Sequence, residues 1–265
     1  MTQATPVQAV PAATIMMLRP GADGGIETFM VVRHHQIDFA SGALVFPGGK
    51  ADPADFDERL AERLSGADDE PNMRAIQVAS IREVFEECGI LLARPRGSAN
   101  LVDGERLAGL TPYRQRLNDG ELTIAQFVEQ EDLELACDQL VHFAHWITPD
   151  MMPKRFDTHF FLCLAPADHL AVHDGYESVD SVWIEPNQAV QDGANGKFTI
   201  IFPTLRNIKK LAEFATPEAA LAESAKRRVV TVQPWMEDRE DGKYLCIPVE
   251  AGYDISEERM PDRGG

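Results

Sequence analysis

Short apolar blocks alternate with polar segments along most of the chain, and the period within each block separates strands from helices. Strands are predicted over residues 12–20, which contain ATIMMLRP, and over ETFMVVRHH (27–35), with the turn GADGG between them. GALVF (42–46) is a third short strand, stopped by PGG, and GILLARP follows Gly89 as another. Further strands are predicted at LVHFAHWIT (140–148), HFFLCLAPA (159–167) and SVDSVWIEP (178–186), with weaker candidates in RRVVTVQ and KYLCIPVE. Helical periodicity occupies 73–88 and ends at Gly89, a natural left-handed stop. Residues 104–132 read as helical, with Leu107, Leu110 and Leu117 on one segment and Ile124, Phe127 and Val128 on another. Thr123 and Gln126 have the spacing of a capping box. PNQAVQDGANG is a short helix, and 202–215 is a helix opened by Pro203. Interleaved strands and helices without an internal repeat predict one α/β domain over 12–250, with a helical insertion near 104–138. Residues 1–11 read as a flexible lead and 251–265 as a frayed tail.

Charge narrows the function. The net charge of −18 repels polyphosphate backbones, so nucleic acid is an unfavourable partner. A phosphate-handling site on such a chain needs a local cationic centre from Arg, Lys or metal ions. No apolar run is long enough to span a bilayer. Neither end carries a recognisable address signal, so the expectation is a cytoplasmic protein, monomeric or homodimeric. Cys88, Cys137, Cys163 and Cys246 form no CxxC pair, which argues against structural zinc and fits free thiols. His142 and His145 form an HxxH, but on a strand that spacing puts them on opposite faces, which favours core or surface roles over ligation.

The strongest candidate chemistry lies in IREVFEECGI (81–90). On a helix Glu83, Glu86 and Glu87 share one narrow face at i, i+3 and i+4, opposite Ile81, Val84, Phe85 and Cys88. Like charges so placed repel. A hard divalent cation such as Mg²⁺ or Mn²⁺ would remove that repulsion and supply the missing positive charge. Upstream, FPGGK (46–50) follows a strand, and its glycines Gly48 and Gly49 let the backbone approach a ligand closely.

Together these residues resemble the Nudix hydrolase family. Its signature box ends in Arg-Glu-apolar-any-Glu-Glu-any-Gly-apolar, which Arg82 to Ile90 match at every fixed place. Gly49 matches the opening glycine, and Asp55 stands where the box has its first acid, usually Glu. Arg82 comes 19 residues later than uninterrupted spacing allows, so the box is either split by a polar surface excursion at 56–74 or lacks its first acid. The resemblance implies an α/β/α sandwich around a mixed sheet and hydrolysis of a nucleoside diphosphate linked to another moiety. It implies Mg²⁺ or Mn²⁺ held by Glu83, Glu86 and Glu87, and Arg82 orienting an acid, Asp55, through a salt bridge. Glu177 lies where the family often supplies an additional base.

Arg33, Gly42 and Phe46 to Gly49 are similar to the upstream extension of coenzyme A-cleaving members, although Asp38 and His34 depart from it. The split box, FPGGKADPAD and KRFDTHFFL (154–162) resemble the acyl-CoA diphosphatase branch. The implied substrate is coenzyme A or an acyl-CoA, with Arg33 and Arg155 as phosphate-gripping cations and the 104–138 insertion walling a groove for the acyl chain. NADH or an ADP-sugar, and a nucleotide sensor without catalysis, stay open as alternatives.

Overall fold

A computed structural model describes residues 7–33, 42–169, 171 and 178–261. In chain order the elements are β1 (Val10–Pro20), β2 (Ile26–Arg33), β3 (Leu44–Val45), β4 (Gly48–Lys50), α1 (Pro71–Cys88), β5 (Ala93–Pro95), α2 (Gly104–Leu110), α3 (Pro112–Asn118), α4 (Ile124–Gln130), β6 (Leu133–Leu135), β7 (Val141–Ile147), β8 (Phe156–Leu164), β9 (Ser178–Ile184), α5 (Pro186–Ala194), α6 (Phe202–Leu211), α7 (Pro217–Ser224), β10 (Thr231–Val232), β11 (Trp235–Arg239), β12 (Gly242–Cys246) and β13 (Glu257–Arg259).

A mixed eight-stranded sheet runs β10-β7-β8-β1-β2-β3, with β4 joined to β1 and β9 to β2. β1 organises it. Along one edge it pairs in parallel with β8 from Val10↔Phe156 to Leu18↔Leu164. Along the other, Leu18–Pro20 pair with β2 and Ala12–Thr14 with β4. The alternation of side chains on β1 feeds two cores. Ala13, Ile15 and Met17 join the core that holds α1 and the 104–138 insertion, while Met16 and Leu18 join the core under α5, α6 and α7. Helices thus cover both faces, the layered α/β arrangement the sequence predicts.

α1 begins where Pro71 takes a first-turn position and Glu70 accepts the Met73 N–H. It ends at Gly89 in the left-handed region, φ 71°. It is buried on two sides. One faces β1; on the other, Phe85 stacks on Phe127 of α4 at 5.4 Å between ring centroids. The insertion resolves into three short helices, and the Thr123–Gln126 capping box is formed.

Several expectations are corrected. Residues 56–74 are no simple surface excursion: Leu60 is buried in the main core, Arg63 pairs with Asp132, and α1 already starts at Pro71. Of GILLARP only Ala93–Pro95 form a strand, and Ile90 to Leu92 are buried in the core ahead of it. α7 is unannounced in the sequence because PEAALAES carries no apolar stripe of helical period. The tail from 251 does not fray through its described residues. Tyr253 donates its hydroxyl to Asn207, Asp254 meets Arg206 and Lys209, and β13 pairs with β12. Finally, β7 carries a bulge between His142 and Ala144, which reverses side-chain parity and puts His142 and His145 on one face.

Candidate active site

Three segments meet at the C-terminal half of α1: the β4 loop, the tight turn Pro53–Phe56 and the helix itself. Gly48 has φ 151°, and a Cβ there would stand 2.2 Å from the Ala13 carbonyl oxygen. A Cβ on Gly49 would stand 2.4 Å from Glu83 Oε2. Both positions need glycine, the first for backbone conformation and close strand pairing, the second to seat a glutamate.

Arg82 is the hub. Its Nε and Nη2 donate to the two oxygens of Asp55 at 2.9 and 3.0 Å, and Nη2 also donates to the Lys50 carbonyl at 3.0 Å. Nη1 donates to Glu83 at 2.9 Å and Glu86 at 3.2 Å. Asp55 is buried and accepts the Asp52 N–H as well, closing a capping box over its turn. The pairing of Arg82 with Asp55 that the split box implies is present, bridged across 27 residues of sequence. Burial acts to lower the Arg82 pKa, but the Asp55 hydrogen bonds and the Glu83 and Glu86 charges outweigh it and hold it well above its ordinary value.

The glutamates are sunk rather than solvated. The side chains of Glu83 and Glu86 are 14% and 10% exposed, and Glu87 is buried with Oε2 accepting the Gly48 N–H at 3.0 Å. Burial, reinforced by Glu83, pushes the Glu86 carboxyl up to about 7 against the pull of Arg82. Glu86 Oε1 is buried and has no hydrogen-bond partner among the described residues. Divalent cations are the group that Nudix hydrolases use, and this donor set fits one: hard carboxylate oxygens, one of them an orphaned buried acceptor, beside a glycine cradle with no room for a Cβ.

A cleft of about 2390 Å³ opens against β4 and Glu83, well beyond the size of a pocket for one compact ligand. Arg33, Gly48, Gly49, Glu83 and Arg155 all line it, so the expected substrate-binding residues are brought to one place. Its charged lining differs from the rest of the molecule: Arg33, Lys50, Lys154, Arg155, Arg239, Lys243 and Arg259 against Glu83, Asp119, Asp238, Glu240 and Asp241. Lys50, the last residue of the FPGGK motif, is a cleft cation not singled out by the sequence pattern. Arg155 is already engaged by three protein oxygens, the carbonyls of Thr148 and Val7 and the carboxylate of Asp150. A phosphate would have to displace Asp150 to reach it. The insertion contributes Gln115, Asn118 and Asp119 to the cleft, all polar, while its apolar residues are spent on the core. The apolar lining comes instead from β1, β3, β7 and β8, from Ile201 and Phe202, and from Met151, Met152, Met236, Leu245 and Met260. The C-terminal strands β11–β13 are short and half exposed, and of the three the apolar pattern marks only β12, within KYLCIPVE. Glu177, Asp38 and His34 lie outside the described residues.

Comparison with known proteins agrees with this geometry. Residues 61–211 match the family model described as the NUDT19 Nudix domain. The chain belongs to the NUDT19 Nudix domain family. Its Nudix relatives include the acyl-coenzyme A diphosphatase NUDT19 of Xenopus laevis, 26% identical over 71% of this chain, and that of Homo sapiens, 26% identical over 75%. The matched regions span 60% and 64% of those two proteins. A Nudix hydrolase from Alicyclobacillus acidocaldarius shares the fold with a TM-score of 0.66 and 27% identity, over 82% of this chain and 96% of its own. Among the described residues of this Nudix chain, no helix is long and apolar enough to cross a membrane.

Proposed function

We propose that this protein is a Mg²⁺- or Mn²⁺-dependent diphosphatase that cleaves the diphosphate of coenzyme A or an acyl-CoA. The observation that carries the reading is the Arg82-centred array, in which one guanidinium orients Asp55, Glu83 and Glu86 around a buried, unsatisfied carboxylate oxygen. Glu83, Glu86 and Glu87 would hold the cation. Bound there, it would neutralise the charge that grows on the diphosphate oxygens during phosphoryl transfer.

The chain's own residues do the rest. Asp55 and the Lys50 carbonyl fix the Arg82 fork from one side, so its Nη1 holds two glutamates without rotating. The Gly48–Glu87 hydrogen bond ties the β4 backbone to α1, so the glycine edge and the carboxylates keep one spacing. Gly48 and Gly49 leave backbone accessible to a diphosphate. Arg33, Lys50 and Lys154 give the cleft cations for the additional phosphate of coenzyme A, and the methionine-rich lining suits an acyl chain. Glu177 is the proposed base that takes the proton of the attacking water. The acyl-CoA diphosphatases named among the relatives support the substrate.

The test is a product screen by mass spectrometry over coenzyme A, an acyl-CoA, NADH and ADP-ribose at equal Mg²⁺. Expected products are 3′,5′-ADP and a 4′-phosphopantetheine species. Higher catalytic efficiency on NADH or ADP-ribose than on both CoA species would move the substrate and leave the diphosphatase reading standing. Turnover unchanged in Glu86→Gln would remove that reading too; the expected loss is on the order of a hundredfold or more, ~3 kcal/mol.

A further inference from the structure

On the opposite face of β8 from the cleft, a second polar group gathers that the diphosphatase chemistry does not use. Thr158 and Phe160 point into the cleft; Asp157 and His159 alternate with them and share a face with Phe161 and Cys163. The β7 bulge turns His145 and His142 onto that face, with His145 opposite His159 and His142 opposite Phe161. His145 Nε2 contacts Asp157 Oδ1 at short range, and His159 Nε2 lies 3.9 Å from the same oxygen. One ligand atom each from His145, Asp157 and His159 falls within 4.8 Å of the others.

The geometry points to a second metal site, independent of the Nudix carboxylates, in which His145, His159 and Asp157 bind a Zn²⁺-class divalent transition ion. Two imidazole nitrogens and one carboxylate with a position left open form a recurrent donor set for such ions, and differ in kind from the all-oxygen set of Glu83, Glu86 and Glu87. Each imidazole is also held from behind. His145 Nδ1 lies 2.8 Å from Thr231 Oγ1, and His159 Nδ1 lies 3.0 Å from His142 Nε2. A proton on each Nδ1, donated to those partners, leaves both Nε2 lone pairs aimed at Asp157. Three acceptors that converge need a shared positive charge, a proton or a metal ion. The site is reachable: the histidine side chains are 15% exposed and that of Asp157 is 36% exposed. The cysteine spacing that argued against zinc speaks only to thiolate sites. The ion would tie β7 to β8 and, through Thr231, to the edge strand β10.

The test uses tag-free full-length protein stripped with chelator and titrated with Zn²⁺ by calorimetry, in a Glu86→Gln background that silences the Nudix carboxylates. Expected is one bound ion per chain, with affinity lowered ~100-fold or more in His145→Gln/His159→Gln and ~10–100-fold in Thr231→Val, whose only loss is the group behind His145. Co²⁺ substituted into the unaltered site should give the intense visible absorption of a four-coordinate ion. Absence of Zn²⁺ binding, equal affinity in the double variant, or a Co²⁺ spectrum of six oxygen ligands would each overturn the site. Thr231→Val and the Co²⁺ spectrum decide the question if the double variant does not fold. Diphosphatase turnover with Mg²⁺, measured in Thr231→Val with Glu86 intact, should persist, so failure of one site is distinguishable from failure of the other.

Discussion

At the scale of single residues, the candidate site is an exchange of stability for charge placement. Glu86 is the clearest case. Its carboxyl is raised from 4.5 to about 7, so the folded chain binds an extra proton between those values and the unfolded chain does not. Stability therefore falls as pH rises through that window, and the penalty is complete above about pH 7. Glu86→Gln removes it. The expected result in metal-free protein at pH 8 is a gain of the order of 2 kcal/mol, roughly 4–8 °C in Tm, that vanishes near pH 4. Mg²⁺ should stabilise the parent at pH 8 and leave the variant unmoved. Scanning calorimetry at several pH values checks both. Asp55 poses the reverse case. Removing it strands Arg82 among other groups but without its bidentate partner, in a pocket where the arginine side chain is only 11% exposed. Breaking one member of a buried pair costs about 3–5 kcal/mol, so Asp55→Ala should lose that much stability in denaturant unfolding as well as turnover. A loss below ~1 kcal/mol would mean that the pair is a bystander.

At the scale of elements, what could be read from the chain was whatever a period or a fixed spacing records. The strands β1, β2, β7, β8 and β9 and the end of α1 at Gly89 follow from alternation and from a residue type that only one conformation suits. The carboxylate face of α1 follows from i, i+3, i+4 spacing, yet its burial does not. Nothing in REVFEE shows that the insertion helices and the β4 loop close over it. The pairing of Arg82 with Asp55 needed the resemblance, since 27 residues separate them. The His142/His145 parity was misread because a bulge is one extra residue that no local pattern marks. The β11–β13 strands, which form a separate three-stranded sheet, were faint because they are short and about half of their side chains are exposed. The loop of β4 offers an element-scale test. Gly49→Ala leaves φ unstrained but drives a methyl into Glu83, a side chain that can shift where backbone cannot. The prediction is a fold with Tm within a few degrees of the parent, and Mg²⁺ affinity weakened by roughly tenfold or more as Glu83 is displaced. Gly48→Ala should fare worse, because the added carbon meets the Ala13 backbone, and soluble yield is the measurement that separates the two.

At the scale of the whole molecule, a chain of net charge −18 lines its cleft with seven cations against five acids, a local excess of cations on an acidic protein. That local excess lets an anionic substrate approach one face without general attraction to polyanions. Part of the cleft's apolar lining comes from stretches far apart in sequence, Met151 and Met152 before β8 and the C-terminal β11–β13 unit with Met260 beyond it. Met152 and Met260 are 41% and 38% exposed, high for apolar side chains, so they cover little core and are available to a ligand. Their replacement therefore tests substrate recognition with little cost to folding. Each methylene buried on binding contributes ~0.8 kcal/mol, so losing the contact with two of them is worth about tenfold in affinity. Met152→Glu/Met260→Glu adds two carboxylates to the wall as well. The expected outcome is a KM for a long-chain acyl-CoA raised by roughly tenfold or more, a KM for free coenzyme A changed less than about threefold, and an unaltered kcat for coenzyme A. Equal effects on both substrates would place the acyl chain outside this wall, since free coenzyme A has no acyl chain to lose contact with it.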